Sequence, residues 1–186
     1  PVVFVERLIS SQNPFTEGVN PIGNAAYTAF LVAALVEEGF KFLALYLLIW
    51  RNKNFNEKFD GIVYAVFISL GFAGVENIMY VAGGGMDVAF TRAITAVPAH
   101  ALFGIRMGYY FGIAHMYEEL RSSHLKLAFI YPLVLHGIYD FILMTGFNWL
   151  WLVFVPYLVY LYFEGFKKMK IISDTSIFRK DVDIPE

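Results

Sequence analysis

Five long apolar runs, separated by short polar connections, make up most of the chain. Each run has about the length that a helix needs to cross a bilayer, roughly 20 residues, and each ends at charged or turn-forming residues. The pattern predicts an all-α fold, a polytopic transmembrane helix bundle with about five complete spans behind a truncated N-terminal segment. The predicted spans are A (24–50), B (59–81), C (91–116), D (126–144) and E (147–166).

Basic residues lie in alternate connections between these runs. The A–B connection, the C–D connection and the C-terminal tail carry Lys and Arg, whereas residues 10–23, 83–90 and 145–148 carry none. Because Lys and Arg collect on the cytoplasmic side, we expect a multi-pass protein of the cell membrane with a cytoplasmic C-terminus. The basic residues are Arg51, Lys53, Lys58, Arg121, Lys126, Lys167, Lys168, Lys170, Arg179 and Lys180.

The composition agrees with a membrane protein and excludes several kinds of chemistry. Hydrophobic residues make up 58% of the chain and charged residues 16%, whereas soluble domains have about 45–50% and 25%. The net charge of −2 gives no basic surface for nucleic acid, and the apolar composition makes the lipid bilayer the expected partner. The absence of cysteine excludes disulfides, a thiol nucleophile and thiolate metal ligands.

Several ionisable residues nevertheless lie deep inside the apolar runs. A charged side chain at the centre of a bilayer costs about 2.5–3.5 kcal/mol even on the most lenient scale, so we expect these groups to face one another around a polar cavity. At 1.5 Å per residue they lie about 8–15 Å from the predicted outer ends, with the glutamates of run A somewhat deeper. They are Glu37, Glu38 and Lys41 in A, Glu76 in B, His100 in C, and His136 and Asp140 in D.

Helical spacing supports this convergence. Residues three or four positions apart share a helix face, which places Lys41 beside both Glu37 and Glu38, and Asp140 beside His136. The apolar runs also contain two arginines, Arg92 and Arg106, which are expected to be interfacial or structural. The sequence therefore predicts one layer of carboxylates and imidazoles between the outer face and the midplane.

Peptide hydrolysis is one reaction that such a layer can perform. It needs a general base for water, a general acid for the leaving amine and stabilisation of the oxyanion. Two imidazoles and one or two carboxylates can alternatively bind a divalent metal ion such as zinc, which leaves an open position for water. The candidate catalytic residues are Glu37, Glu38, Glu76, His100 and His136, and the candidate metal ligands are His100, His136, Glu76 and Glu38.

Several known protease signatures are missing from the chain. It has no H-E-x-x-H pair, no G-x-S-x-G nucleophile turn and no G-x-G-D aspartate motif. A site built from glutamate and histidine is what remains.

The motifs on runs A to D resemble those of the PrsW family of intramembrane proteases. Glu37-Glu38-Gly39-Phe40-Lys41 resembles their E-E-x-x-K motif, and Phe72-x-x-x-Glu76-Asn77 resembles the second motif. His100 and His136-x-x-x-Asp140 resemble the third and fourth motifs. The resemblance covers residues 24–146, with one motif on each predicted helix. The third motif departs from the related F-x-x-x-H pattern because position 96 is Ala96.

The resemblance implies a polytopic endopeptidase that is distantly similar to CAAX-processing and bacteriocin-immunity membrane proteases. It implies a single-pass membrane protein as substrate, such as an anti-sigma factor cut first near the extracytoplasmic side. Lys41, Asn77 and Asp140 are expected to support the site. Lys41 either forms an intrahelical ion pair with Glu37 or binds Glu76 across the bundle, and Asp140 orients His136 or another histidine. Residues 24–166 are then the catalytic transmembrane domain, residues 1–10 the end of a preceding apolar segment in a longer natural protein, and residues 167–186 a basic cytoplasmic tail.

Two other functions are compatible with the same residues. Intramembrane Glu, His and Asp side chains also carry protons in a proton-coupled transporter or proton relay, although the chain shows no inverted repeat. A non-catalytic membrane scaffold or immunity protein would keep the same charges as structural contacts. Within the protease hypothesis, the motifs leave open whether glutamate alone or a metal ion activates water.

Overall fold

The structure is a computed structural model that describes residues 1–15, 17–176 and 178. Every regular element in this part of the chain is helical, which confirms the predicted all-α class. A π-helical stretch, Thr28–Ala34, joins the second and third α-helices, and short 3-10 turns, Glu118–Leu120 and Asn148–Leu150, precede the last two. The α-helices are α1 (Val2–Ser10), α2 (Pro21–Tyr27), α3 (Leu35–Ile49), α4 (Lys58–Ile94), α5 (Ala96–Met116), α6 (Arg121–Met144) and α7 (Trp151–Asp174).

The helices agree with a membrane protein. Three helical stretches of the described chain are long and apolar enough to cross a bilayer, namely Lys58–Ile94, Glu118–Met144 and Asn148–Asp174. The number of five crossings and the cytoplasmic position of the C-terminus stay predictions. Of the basic tail, Lys167, Lys168 and Lys170 continue α7, whereas Arg179 and Lys180 lie outside the described residues.

The boundary between predicted runs B and C differs from expectation. Run B was expected to stop before the three glycines at 83–85, but α4 continues to Ile94 through a kink at Gly85, where φ is 79° and ψ is −176°. Glycine adopts a positive φ without steric cost, so the chain bends there and becomes helical again. Because the Asn77 Nδ2 donates to the Ala89 carbonyl at 3.5 Å, the part after the kink returns alongside α4. Helix α5 then begins at Ala96 and not at position 91.

Helix α5 forms the centre of the molecule. It packs against α4, α6 and α7, and two apolar clusters surround its Phe103 and Phe111 side chains. Arg106 on the same helix is buried and its Nη2 lies 2.6 Å from the Glu164 carboxylate of α7. The expectation that Arg106 is structural therefore agrees with an ion pair that joins two helices.

Small residues let α4 and α5 approach each other closely. Gly61 of α4 faces Gly108 and Gly112 of α5, so a Cβ atom on Gly61 would lie 2.6 Å from the Gly108 carbonyl oxygen and 2.8 Å from the Gly112 nitrogen. Close backbone approach of this kind is typical of helix packing in membranes, where small residues maximise van der Waals contact. The α4–α5 contact fixes the relative positions of Glu76 and His100, which these two helices carry.

Replacement of Gly61 by alanine is expected to destabilise the fold. Overpacking a close contact typically costs about 1–3 kcal/mol, and both neighbouring atoms belong to backbone that cannot rotate away. The free energy of unfolding, measured by SDS titration in mixed micelles, should fall by this amount for Gly61→Ala. Gly71→Ala on the same helix is the matched control, since no atom lies within 4 Å of its added Cβ. Equal stabilities of the two variants would contradict the close packing of α4 on α5.

Candidate active site

A cavity of about 870 Å³ lies among the helices that carry the predicted motifs. Most of its wall is apolar, and the N-terminal helix α1 contributes Val2, Val3 and Glu6. Four of the five candidate catalytic residues line this cavity, whereas Glu38 does not. Besides Glu6, the acidic and basic residues that line the cavity are Glu37, Glu76, Arg92, His100, His136 and Asp140.

Lys41 lies beside this cavity and is entirely inside the protein. It follows both glutamates by one helical turn on α3, and its Nζ lies 2.7 Å from the Glu38 Oε1 and 3.3 Å from the Glu37 Oε2. The same Nζ lies 2.8 Å from the His100 Nδ1 and 4.7 Å from the centre of the Phe72 ring. Since an ammonium group only donates hydrogen bonds, Nδ1 of His100 must be the acceptor. The lysine therefore joins α3 to α5.

Glu76 connects His100 to an arginine that was expected to be interfacial or structural. Its Oε2 lies 3.3 Å from the His100 Nε2, and its Oε1 lies 2.7 Å from the Arg92 Nη2. The Arg92 guanidinium also lies over the Tyr80 ring, 3.8 Å from its centre. Arg92 comes after the kink at Gly85, so the returning part of α4 brings it back to the level of Glu76. The site thus contains a second cation besides Lys41.

His136 is held between two carboxylates. Its Nδ1 lies 2.9 Å from the Glu38 Oε1, and its Nε2 lies 3.2 Å from the Asp140 Oδ2. Asp140 follows by one turn on α6, in agreement with the expected helical spacing. The next residue, Gly137, has no side chain, and the Phe30 ring of the π-helical stretch occupies the space where a Cβ would lie. This close packing brings the start of α3, with Glu38, next to α6.

These contacts form one network across four helices. It runs from α4 through α5 and α3 to α6, and each step is a contact of 2.7–3.3 Å between polar side-chain atoms. The predicted convergence of the buried charges inside the bundle is therefore what the structure shows. In order, the network consists of Arg92, Glu76, His100, Lys41, Glu38, His136 and Asp140.

Three of the site residues could together hold a metal ion. Among the described residues, Glu37, His100 and His136 are buried and offer ligand atoms that lie within 4.8 Å of one another. This group shares both histidines with the predicted ligand set but contains Glu37 in place of Glu38 and Glu76. The Oε1 atom of Glu38 contacts Lys41 and His136, while Glu76 contacts Arg92 and His100.

The charges of the network also fit a divalent cation. A carboxylate and two imidazoles are ligands of catalytic zinc sites, and buried charges require partners. The Oε2 atom of Glu38 is buried without a hydrogen-bond partner, and that of Glu76 has only the 3.3 Å contact with the His100 Nε2. Metal ligation requires both imidazoles to be neutral. The four carboxylates of the site (Glu37, Glu38, Glu76 and Asp140) then exceed its two cations, Lys41 and Arg92, by two charges. A divalent cation would balance this excess.

One predicted residue does not join the site, and sequence reasoning missed others. Asn77 donates to the Ala89 carbonyl and stabilises the return of the chain after Gly85. Arg92 and Glu6 line the cavity but were not predicted there. The sequence contained one signal for the position of Arg92, the run of three glycines at 83–85. Such a run permits a reversal of the chain that brings Arg92 back towards Glu76.

The fold and the site define a class of protein: a helical membrane protein with a buried glutamate–histidine network beside an internal cavity. The comparison with known families makes this more specific. Residues 2–163 match the family described as "PrsW family intramembrane metalloprotease". The chain therefore belongs to the PrsW family of intramembrane proteases, as its four motifs predict.

Curated relatives agree with this assignment. The chain is 39% identical over 177 residues to Protease PrsW of Oceanobacillus iheyensis, which covers 95% of this chain and 79% of that protein. It is 36% identical over 171 residues to Protease PrsW of Bacillus subtilis (91% and 75%). It is also 36% identical over 176 residues to Protease PrsW of Clostridioides difficile (91% and 72%). No solved structure matches the chain.

Proposed function

We propose that this protein is a metal-dependent intramembrane endopeptidase that cuts a membrane-anchored protein within the cavity. The observation that carries the proposal is the group of Glu37, His100 and His136, whose ligand atoms lie within 4.8 Å of one another at the cavity wall. Membership of a protease family supports the reaction class. The apolar character of the cavity wall suits a substrate that arrives from the bilayer.

Glu37, His100 and His136 are the proposed ligands of a divalent ion such as zinc. When bound, such an ion supplies Lewis-acid polarisation of the scissile carbonyl. Outer hydrogen bonds fix the orientation of metal-binding imidazoles, and each of these two histidines has carboxylate neighbours that can do so. Glu76 takes this role for His100, and Glu38 or Asp140 takes it for His136.

Glu76 is the proposed general base. A base must reach water that also reaches the substrate, and Glu37 and Glu76 line the cavity whereas Glu38 does not. Since Glu37 is a proposed ligand, Glu76 is the glutamate that can accept a proton from water and then donate it to the leaving amine. Arg92 holds the Glu76 carboxylate in place at 2.7 Å.

The proposed substrate is a single-pass membrane protein, such as an anti-sigma factor, cut near the extracytoplasmic side. The motif resemblance supports this assignment, and the relatives named Protease PrsW support proteolysis as the reaction. In this proposal residues 24–166 are the catalytic domain, α1 closes one side of the cavity, and the basic tail from Lys167 onward lies in the cytoplasm.

Cleavage in reconstituted vesicles tests the proposed function. The purified protein is combined with a candidate anti-sigma factor, and the products are mapped by mass spectrometry. We expect a single cut near the outer end of the substrate's transmembrane segment, and no cut by a Glu37→Gln control. Proton flux across the vesicles without cleavage would favour a proton relay instead. An inactive but fully stable protein would favour a scaffold.

A further inference from the structure

The ammonium group of Lys41 lies against the proposed ligands of the ion. Its Nζ lies 3.3 Å from the Glu37 Oε2 and 2.8 Å from the His100 Nδ1, so it contacts two of the three residues of the candidate metal group. We propose that Lys41 is a tethered cation that takes the place of the divalent ion in the metal-free protein and leaves Glu37 and His100 when the ion binds. This inference rests on the proposed metal-dependent function.

The hydrogen bonds of His100 require such a displacement. The ammonium group of Lys41 can only donate, so the Nδ1 lone pair of His100 is already used and the ring proton is at Nε2, facing Glu76. Neither nitrogen of the ring is then free to bind a metal ion. Release of the Lys41 Nζ restores the Nδ1 lone pair and leaves the contact between Nε2 and Glu76 intact.

Glu38 gives the displaced lysine a partner. The Nζ of Lys41 is closest to the Glu38 Oε1, at 2.7 Å, and Glu38 lies away from the cavity wall. The ammonium can therefore give up Glu37 and His100 while it keeps one ion pair. The adjacent glutamates then have different partners: Glu37 binds the divalent ion and Glu38 retains the lysine.

The same arrangement explains how the metal-free bundle keeps its carboxylates buried. A buried charge without a partner is strongly destabilising, and Lys41, which is 1% exposed, contacts Glu37 and Glu38 at once. Each metal-binding event must replace these contacts, so the lysine lowers the affinity of the site for the ion. In this proposal the lysine lowers the affinity for the ion but gives the buried carboxylates a partner whenever no ion is bound.

Metal titration of Lys41→Met tests this inference. The wild-type protein and the variant are stripped with a chelator in detergent at one pH and titrated with Zn²⁺ alone by calorimetry. We expect the variant to bind Zn²⁺ at least about tenfold more tightly, because no ammonium competes for Glu37 and His100. Arg92→Met is the matched control, since it removes one cation from the network without touching the ligand atoms. Its affinity should rise clearly less than that of Lys41→Met, because the Coulomb interaction weakens with distance and Arg92 contacts Glu76 and not a ligand atom.

A second variant and a second measurement make the result independent of folding defects. Lys41→Gln keeps a polar side chain beside Glu38 and should show the same direction of change. The rise in melting temperature on addition of Zn²⁺ should be larger for both Lys41 variants than for the wild type. The absorption spectrum with Co²⁺ should retain the nitrogen and oxygen ligation of the wild-type site.

Each other outcome identifies which proposal is wrong. Weaker binding by Lys41→Met and Lys41→Gln would mean that the lysine holds the ligands in place, which overturns this inference. Equal increases in Zn²⁺ affinity for the Lys41 and Arg92 variants would mean that net charge alone determines the affinity. That result would also overturn this inference. Absence of Zn²⁺ binding by the wild type and by both Lys41 variants would overturn the metal-dependent function itself.

Discussion

Glu76→Gln is expected to lower kcat/KM for the membrane substrate by about 10²–10⁴-fold, which is the usual contribution of general acid–base catalysis. An amide of nearly the same shape still fits between Arg92 and His100, but it cannot accept a proton from water. Because Glu76 lies outside the group of Glu37, His100 and His136, the bound ion should stay in place. Initial cleavage rates in vesicles and elemental analysis of the same sample measure both quantities.

Glu119→Gln is the control for this variant. Glu119 is exposed in the 3-10 turn before α6, and the same chemical change there should leave the cleavage rate as it is. Loss of the ion in Glu76→Gln even with Zn²⁺ in excess, beyond the roughly 10–100-fold weakening that an outer partner of His100 can cause, would make Glu76 a ligand and contradict its assignment as the base. Retained activity would transfer that role to another glutamate of the cavity wall, and Glu6 would be the next candidate because Glu37 is a proposed ligand.

The placement of Glu76, His136 and Asp140 in one site could be predicted because two physical rules determine it. Charged groups are expelled from lipid-facing surfaces, and the helical repeat fixes which residues share a face. The i, i+4 pair of His136 and Asp140 on α6 is therefore visible in the sequence, and so is the pair of Glu37 and Lys41 on α3. Their convergence from separate helices follows from the cost of leaving them in lipid.

The division of roles between Glu37 and Glu38 could not be predicted. Adjacent residues on a helix point about 100° apart, and which of the two faces the cavity depends on how α3 is rotated. That rotation follows from the packing of the preceding π-helical stretch, where Phe30 fits against Gly137 of α6. Neither the π-helical stretch nor this contact has a signature in the apolar pattern.

The contact between Arg92 and Glu76 also could not be predicted from the sequence. Sixteen positions separate the two residues, and they meet because Gly85 takes a positive φ that turns the chain back along α4. Three consecutive glycines permit such a turn but do not specify its direction. A charged residue after the turn could therefore be assigned equally well to the membrane surface.

Removal of the divalent ion is expected to lower cleavage by about 10³-fold or more. Lewis-acid polarisation contributes several kcal/mol to the transition state, and each 1.4 kcal/mol corresponds to a tenfold change in rate. Dialysis against a chelator should produce this loss in the wild type, and Zn²⁺ should restore the activity. Mg²⁺ should not, because a group with two imidazoles and one carboxylate suits zinc better than a cation that prefers oxygen ligands.

Glu37→Gln should reproduce the effect of the chelator without any chelator present. Glu37 is the one carboxylate in the candidate group, so its loss should weaken Zn²⁺ binding by more than the roughly 10–100-fold that removal of an outer hydrogen-bond partner costs. Asp140→Asn, which alters an outer partner of His136, gives that smaller effect for comparison. Full activity of protein shown by elemental analysis to contain no ion would overturn the metal assignment. Hydrolysis would then depend on glutamate alone, with Glu37 as well as Glu76 available to activate water at the cavity wall.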